Sequence, residues 1–307
     1  KKIIDLSLII RVCRDKLMLQ KLKKLSLVLV ILLASCSTTT FVHNRIDFML
    51  PWHLGSFVDL DAEQGDYLDE LLVPFFDWHQ ANEMPFYLKI LDASESLLLS
   101  KQKIKADDIA TVSMIIDDAW FRLEKSSMKW ILPLGRELSS KQIDGLLEVM
   151  RSQAVEYKNE RLSRTDEQYR QDAFERIRDN LTKFMGELSR EQTELVSKAS
   201  SQLKRTDRVW FEKRIALLDE LEEILVRDVG WEQELLHVMT SRGNALSGED
   251  IYSHNLNVSH KLFAAVLNTR SKEQDKRLRQ QIEKYRTDIE NTIKQQKDNQ
   301  ELINPLN

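Results

Sequence analysis

The chain has 307 residues, a formal net charge of −4, two cysteines, eight glycines and five prolines. Without residues 1–35, which hold eight Lys/Arg and two Asp/Glu, the charge falls to −10 and Cys36 is the only cysteine left. That balance repels phosphate and argues against nucleic acid as a partner. A lone thiol excludes a fold built on internal disulfides, and few turn formers among many Glu, Lys, Leu, Gln and Arg favour long helices over sheets.

Residues 1–17 contain no methionine and precede a complete signal, so they are expected to be translated upstream sequence behind a misassigned start. Residues 18–35 have the order of a secretory signal: Lys21, Lys23 and Lys24, an apolar run from Leu25 to Leu33 broken only by Ser26, then Ala34 and Ser35. The run is too short to span a bilayer, which takes roughly 20 apolar residues. Leu33-Ala34-Ser35-Cys36 resembles the lipobox of bacterial lipoproteins. The resemblance implies cleavage between Ser35 and Cys36, a diacylglyceryl group on the Cys36 thiol, and a membrane as first partner. Each buried acyl methylene contributes ~0.8 kcal/mol, so several chains hold the protein in place. Ser37 rather than Asp after the cysteine implies, by the same resemblance, sorting to the outer membrane. Residues 36–44 are then a lipidated tether and residues 45–307 a helical periplasmic domain.

Beyond the tether the apolar residues recur at three and four. Ile109, Val112, Ile116, Ala119 and Leu123 form one such stripe, and Phe211, Ile215, Leu218, Leu221 and Leu225 another. Helices are expected at about 61–80, 86–100, 107–130, 140–162, 166–187, 190–204, 207–240, 248–268 and 271–299, with Pro85 and Pro133 at helix boundaries. A start signal recurs at Leu60-Asp61-Ala62-Glu63-Gln64, Leu138-Ser139-Ser140-Lys141-Gln142 and Leu188-Ser189-Arg190-Glu191-Gln192, with a degenerate copy at Leu246-Ser247-Gly248-Glu249-Asp250. The Asp or Ser oxygen caps a backbone N–H of the first turn, the Gln side chain reaches back to the cap residue's N–H, and the leading Leu packs as a staple. The spacing is too irregular for a solenoid and suits helical hairpins. The tail carries a narrow stripe of Leu278, Ile282, Tyr285, Ile289 and Ile293, as for a helix lying along one neighbour. The fold class is all-α, a bundle of long antiparallel helices.

Chemistry is sparse. Glu234 and His237 give one Glu-x-x-His where a carboxylate-bridged metal site needs two, so chance is the simpler account, and no metal or other cofactor is expected. His79 and Glu83, four apart, are expected to pair along one helix face. Asp117 and Asp118 point about 100° apart and read as a solvated face. His43, His254 and His260 have no partner visible in the sequence. No nucleophile elbow, phosphate-cradling glycine loop or zinc-protease motif is present, and no catalytic residue is expected. The strongest candidates for binding are Phe75, Phe76, Trp78 and Phe86 around Pro85. They are either core or a groove for an apolar segment of another protein.

Two resemblances attach to these residues. Asn44, Asp47, Trp52, Asp59-Leu60-Asp61, Gln64, Trp78-His79 and Pro85 look like the opening of an uncharacterised family of proteobacterial lipoproteins, the domain of unknown function numbered six-two-seven-nine. His43 in place of a Tyr and Pro51 before the Trp depart from its pattern. The resemblance implies an envelope lipoprotein and no activity. Leu138 to Met150, and less closely Leu188 to Val196, is similar to the Leu-Thr-x-x-Gln motif of the periplasmic proteins Spy and CpxP, which implies capped helical hairpins and a chaperone or stress-sensing role. The expectation is a non-enzymatic lipoprotein that binds or scaffolds envelope proteins. The alternatives are a chaperone-like holdase, and a hydrolase or metal enzyme whose site spacing alone does not reveal.

Overall fold

The computed structural model describes residue 50, residues 53–245 and residues 250–303. The signal, Ser35, Cys36, the tether, His43 and the degenerate start signal at Ser247 lie outside the described residues. Among those described there are helices and no strands, so the all-α bundle holds. The helices are α1 (Ala62–Trp78), α2 (Met84–Leu99), α3 (Ala106–Glu137), α4 (Ser140–Tyr157), α5 (Asp166–Met185), α6 (Arg190–Gln202), α7 (Asp207–Ile224), α8 (Trp231–Ala245), α9 (Asp250–Asn268) and α10 (Lys272–Ile303), with π-helical turns at His79–Glu83 and Lys158–Leu162.

The first hairpin sets the frame. α1, the π turn and α2 run as one rod antiparallel to α3, joined at one end by Gln64 to the Glu137 carbonyl and further along by Glu83 to Arg122. The expected stripe of Ile109, Val112, Ile116 and Ala119 is buried; Val112, Ile116 and Ala119 pack with Ile90 of α2. α9 lies antiparallel on α3, with Ile109 packed with Ala264, and α10 antiparallel on α2, where Ile282 and Tyr285 meet Leu91 and Leu98. The tail stripe is therefore covered by its own domain. The largest core lies among α4 to α9, around Leu147, Tyr157, Phe184, Val196, Trp210, Leu221 and Val266.

The start signals do more than begin helices. Asp61/Gln64, Ser139/Gln142 and Ser189/Gln192 each form a reciprocal capping box. Gln64 also donates to the Glu137 carbonyl at 2.7 Å and Gln142 to the Asp59 carbonyl at 2.7 Å, while the two amides bond each other. The arrangement recurs at Gln192 and Gln274, which donate to the Thr269 and Glu187 carbonyls and bond each other at 2.9 Å. In both junctions each Gln reaches the carbonyl two residues before its partner's cap. Each of these four amides has its two N–H donors and its carbonyl oxygen engaged, the full capacity of the group.

The structure adds detail to the expected helix limits and corrects some of them. Pro85 stands in the first turn of α2, a helix start as expected, but the chain is already helical before it: the wide π turn falls there, where an α-helix would set the ring against the Ala81 carbonyl. Pro133 lies inside α3, one turn from its end, and Lys129, whose carbonyl loses a partner, is exposed. The helix expected at 207–240 is two, α7 and α8, because Arg227 (φ 65) and Gly230 (φ 98) turn left-handed between them. Arg227 leaves the helical path to donate to the carbonyls of Gly135, Arg136 and Leu138, closing the end of α3. Two further capping boxes stand at Thr165/Gln168 and Ser271/Gln274, where an Arg precedes the cap instead of Leu.

Candidate functional site

The segment from Phe75 to Tyr87 gathers the predicted aromatics and the π turn. Phe75 is its hub, with ring centroids 5.6 Å from Phe76, 6.1 Å from Trp78, 6.5 Å from His79 and 6.3 Å from Trp130 of α3. Phe75 and Phe76 pack on the small core of Leu68, Leu72, Trp130 and Leu134, and all four predicted aromatics are half-buried. They are thus neither sealed core nor an open groove. Phe86 takes the Arg122 guanidinium at 4.1 Å and the Lys89 ammonium at 4.3 Å over its ring, a cation–π arrangement.

Glu83 is 1% exposed and receives both arms of Arg122, Nε at 2.7 Å and Nη2 at 2.9 Å. The hydrogen bonds it donates to Glu83 hold Arg122 above its ordinary pKa, and burial, reinforced by the charge of Glu83, pushes the Tyr87 phenol up. His79 meets the Tyr87 hydroxyl at 2.9 Å. The expected His79–Glu83 pair is replaced by these longer-range partners, because the π turn changes the register of the helix face on which i and i+4 would meet. π turns are frequent at functional sites; here the turn faces α3 and aims a buried carboxylate at Arg122.

A second polar centre lies where α4, α5 and α7 meet. Asp207, fully buried, accepts from Arg164 (3.1 and 2.8 Å), Arg205 (2.9 Å) and the Tyr157 hydroxyl (3.3 Å). Arg205 also donates to the Arg161 and Leu162 carbonyls, and Arg164 reaches Asp172 at 2.5 Å and lies over the Tyr169 ring. Burial pulls the Arg164 guanidinium down, but Asp207 and Asp172 outweigh it and leave it raised. Beside this centre is a cavity of about 390 Å³ whose lining includes Asp166, Tyr169, Arg170, Lys204, Arg205 and Ile251. Arg205 is committed inward, so the cavity offers exposed Arg170 and Lys204 at its rim, suited to holding an acidic group rather than to activating a nucleophile.

The model of a family of unknown function, DUF6279, matches residues 56–252, more than half of the chain. The chain belongs to DUF6279. No curated protein and no solved structure matches it. The DUF6279 match takes in the first paired junction, the π turn and the Asp207 centre, and it ends inside α9 before Ser271. Of the residues that carried the family resemblance, Asp59 to Pro85 fall inside the match, while Asn44, Asp47 and Trp52 precede it.

The remaining candidates disperse through the DUF6279 body. Glu234 and His237 are exposed, and His237 bonds Ser241. Among the described residues no group of three metal-binding side chains comes together. His254 meets the Gln202 carbonyl at 2.8 Å. His260 meets Ser113 at 3.2 Å, a serine–histidine contact, but both are buried between α3 and α9, so a substrate would have to part the helices to reach it. Glu83–Arg122, Arg164–Asp207 and the paired glutamines had no signal in spacing, since these partners lie 39 to 82 residues apart. The boxes at Thr165 and Ser271 could have been found by not requiring a leading Leu.

Proposed function

We propose that this chain is a lipid-anchored envelope protein, held to the periplasmic face of the outer membrane through Cys36, whose helical body binds or scaffolds other proteins without catalysis. The observation that carries the binding role is the apolar surface that the α1–α2/α3 hairpin leaves to solvent: Val73 at 59%, Met114 at 66% and Phe121 at 42% exposure. Single exposed apolar residues are ordinary, but Met114 and Phe121 stand seven apart on α3 and so share one face two turns long. Asp117 and Asp118 lie between them on that face, so its apolar side chains are flanked by acidic ones, a pattern suited to a partner helix that offers apolar and basic residues. The half-buried Phe75, Phe76 and Trp78 add to the same hairpin. Buried Glu83, Asp207, Gln192 and Gln274, by contrast, are spent on side chains and carbonyls of the same chain. The anchor is supported by the order of residues from Lys21 to Cys36.

A photo-crosslinking residue at Met114 or Phe121, carried by the lipidated chain in cells, tests the surface. One recurring envelope partner, absent when the crosslinker replaces exposed Val155 of α4, is the expected result. A broad set of unfolded envelope proteins would favour the holdase, and capture no stronger than at Val155 would overturn the surface. Cys36→Ala tests the anchor: the variant is expected to leave the outer-membrane fraction, and unchanged fractionation would rule lipid out.

A further inference from the structure

We propose that the loop between α7 and α8, residues 225–230, is the face that meets the lipid surface, with Val226 and Val229 entering the headgroup region. The inference deepens the anchored reading above and rests on it. Val229 is fully exposed and Val226 69% exposed, three residues apart in one short loop. The turn is pinned rather than slack. Arg227, at φ 65, donates to the carbonyls of Gly135 at 3.1 Å, Arg136 at 3.3 Å and Leu138 at 2.6 Å, and Gly230 supplies the second left-handed residue at φ 98. Trp231 closes the turn with its ring against Gly135. Two valines are thus presented by a preformed structure, whose ordering cost is met on folding rather than on contact.

Position supplies the occupant. Leu50, the first residue described, packs on the core of Leu68, Leu72, Trp130 and Leu134, and Leu134 is one residue from the Gly135 carbonyl that Arg227 binds. The valine loop and Leu50 therefore share the C-terminal end of α3. Cys36 precedes Leu50 by 14 residues, so at ~3.6 Å per residue the acyl chains lie within roughly 50 Å of that end. Charge favours an apolar contact over an electrostatic one. Arg136 is paired with Glu232, and Asp228 stands between the valines. The lipid it fits is zwitterionic, and the contact is expected to be insensitive to salt.

The mature lipidated chain in phosphatidylcholine–phosphatidylethanolamine vesicles tests this. With Cys36 acylated and no other cysteine after it, Val229→Cys takes one environment-sensitive dye, and Val155→Cys is the control. Val155 is 52% exposed near the far end of α4, whose first turn carries the Ser139 box. The expected result is a blue-shifted dye at position 229, quenched at least twofold by bromine-labelled lipid, with the dye at 155 unchanged. A water-like, unquenched dye at 229 on protein that still floats with the vesicles would overturn the loop contact and leave the anchor standing. Failure to float would remove the anchor, and the loop proposal with it. Val226→Asp combined with the labelled 229 site is expected to lower the quenching; no change would also count against the proposal.

Discussion

The residues that decide this fold are polar groups buried with complete sets of partners. Gln192, fully buried, makes bonds to Ser189, Thr269 and Gln274, whereas Gln168, in an exposed box of its own, caps Thr165 alone. Removing a buried amide orphans its partners, each at about 1–3 kcal/mol, while losing part of an exposed cap costs about 1 kcal/mol or less. Gln192→Ala is therefore expected to lower the unfolding free energy by about 3 kcal/mol and Gln168→Ala by under ~1 kcal/mol, read from urea midpoints. Glu83 makes a sharper case. Arg122→Met leaves its carboxylate buried without its guanidinium, at an expected cost of about 3–5 kcal/mol. Adding Glu83→Met to that variant is expected to recover most of the loss, and a double variant as unstable as the single one would mean that the pair is not what matters.

At the scale of elements, helix ends in this chain are closed by residues from elsewhere. Arg227 ends α3, and Arg270 donates to the Leu267 carbonyl that ends α9 and to Leu98 at the end of α2. Asn268 takes both the N–H and the carbonyl of Ile104, and Asn255 does the same for Lys204, so the turns before α3 and α7 are held alike. Gly186 ends α5 at φ 86, where a Cβ would meet Arg277 Nη1 at 2.5 Å. Charged hydrogen bonds of this kind contribute about 1.5–3 kcal/mol. Arg227→Ala is expected to destabilise the protein by about 2 kcal/mol and to speed hydrogen exchange in the α3 C-terminal turn and α8 more than in α5. Uniform acceleration would show that the turn is not a local clasp. Periodicity across 207–240 hid this break, since Leu221 and Leu225 continue the apolar stripe to its edge.

For the whole molecule, the packing of α9 on α3 carries a titratable group. Burial holds the His260 imidazole below its ordinary value, with Asp107 pulling the other way, so the fold favours the neutral ring. The unfolded chain takes up its proton near pH ~6.5. Stability is then full above that pH and falls as pH drops through it toward the lowered folded value. A His260→Gln variant is expected to lose less stability than the parent between pH ~7.5 and ~5.5, and equal slopes would place the acid sensitivity elsewhere. The all-α class, most helix limits and three of the capping boxes were legible in the sequence, because periodicity, caps and composition act within a few residues. The Pro85 π turn, the break at Arg227, the glutamine pairs and the partners of Glu83 and Asp207 were settled only by tertiary structure. Apart from the π turn, which answers a local clash at Pro85, each depends on at least one hydrogen-bond donor or acceptor brought in from dozens of residues away, and the free energy of satisfying a buried polar group outweighs the local preference that spacing reports.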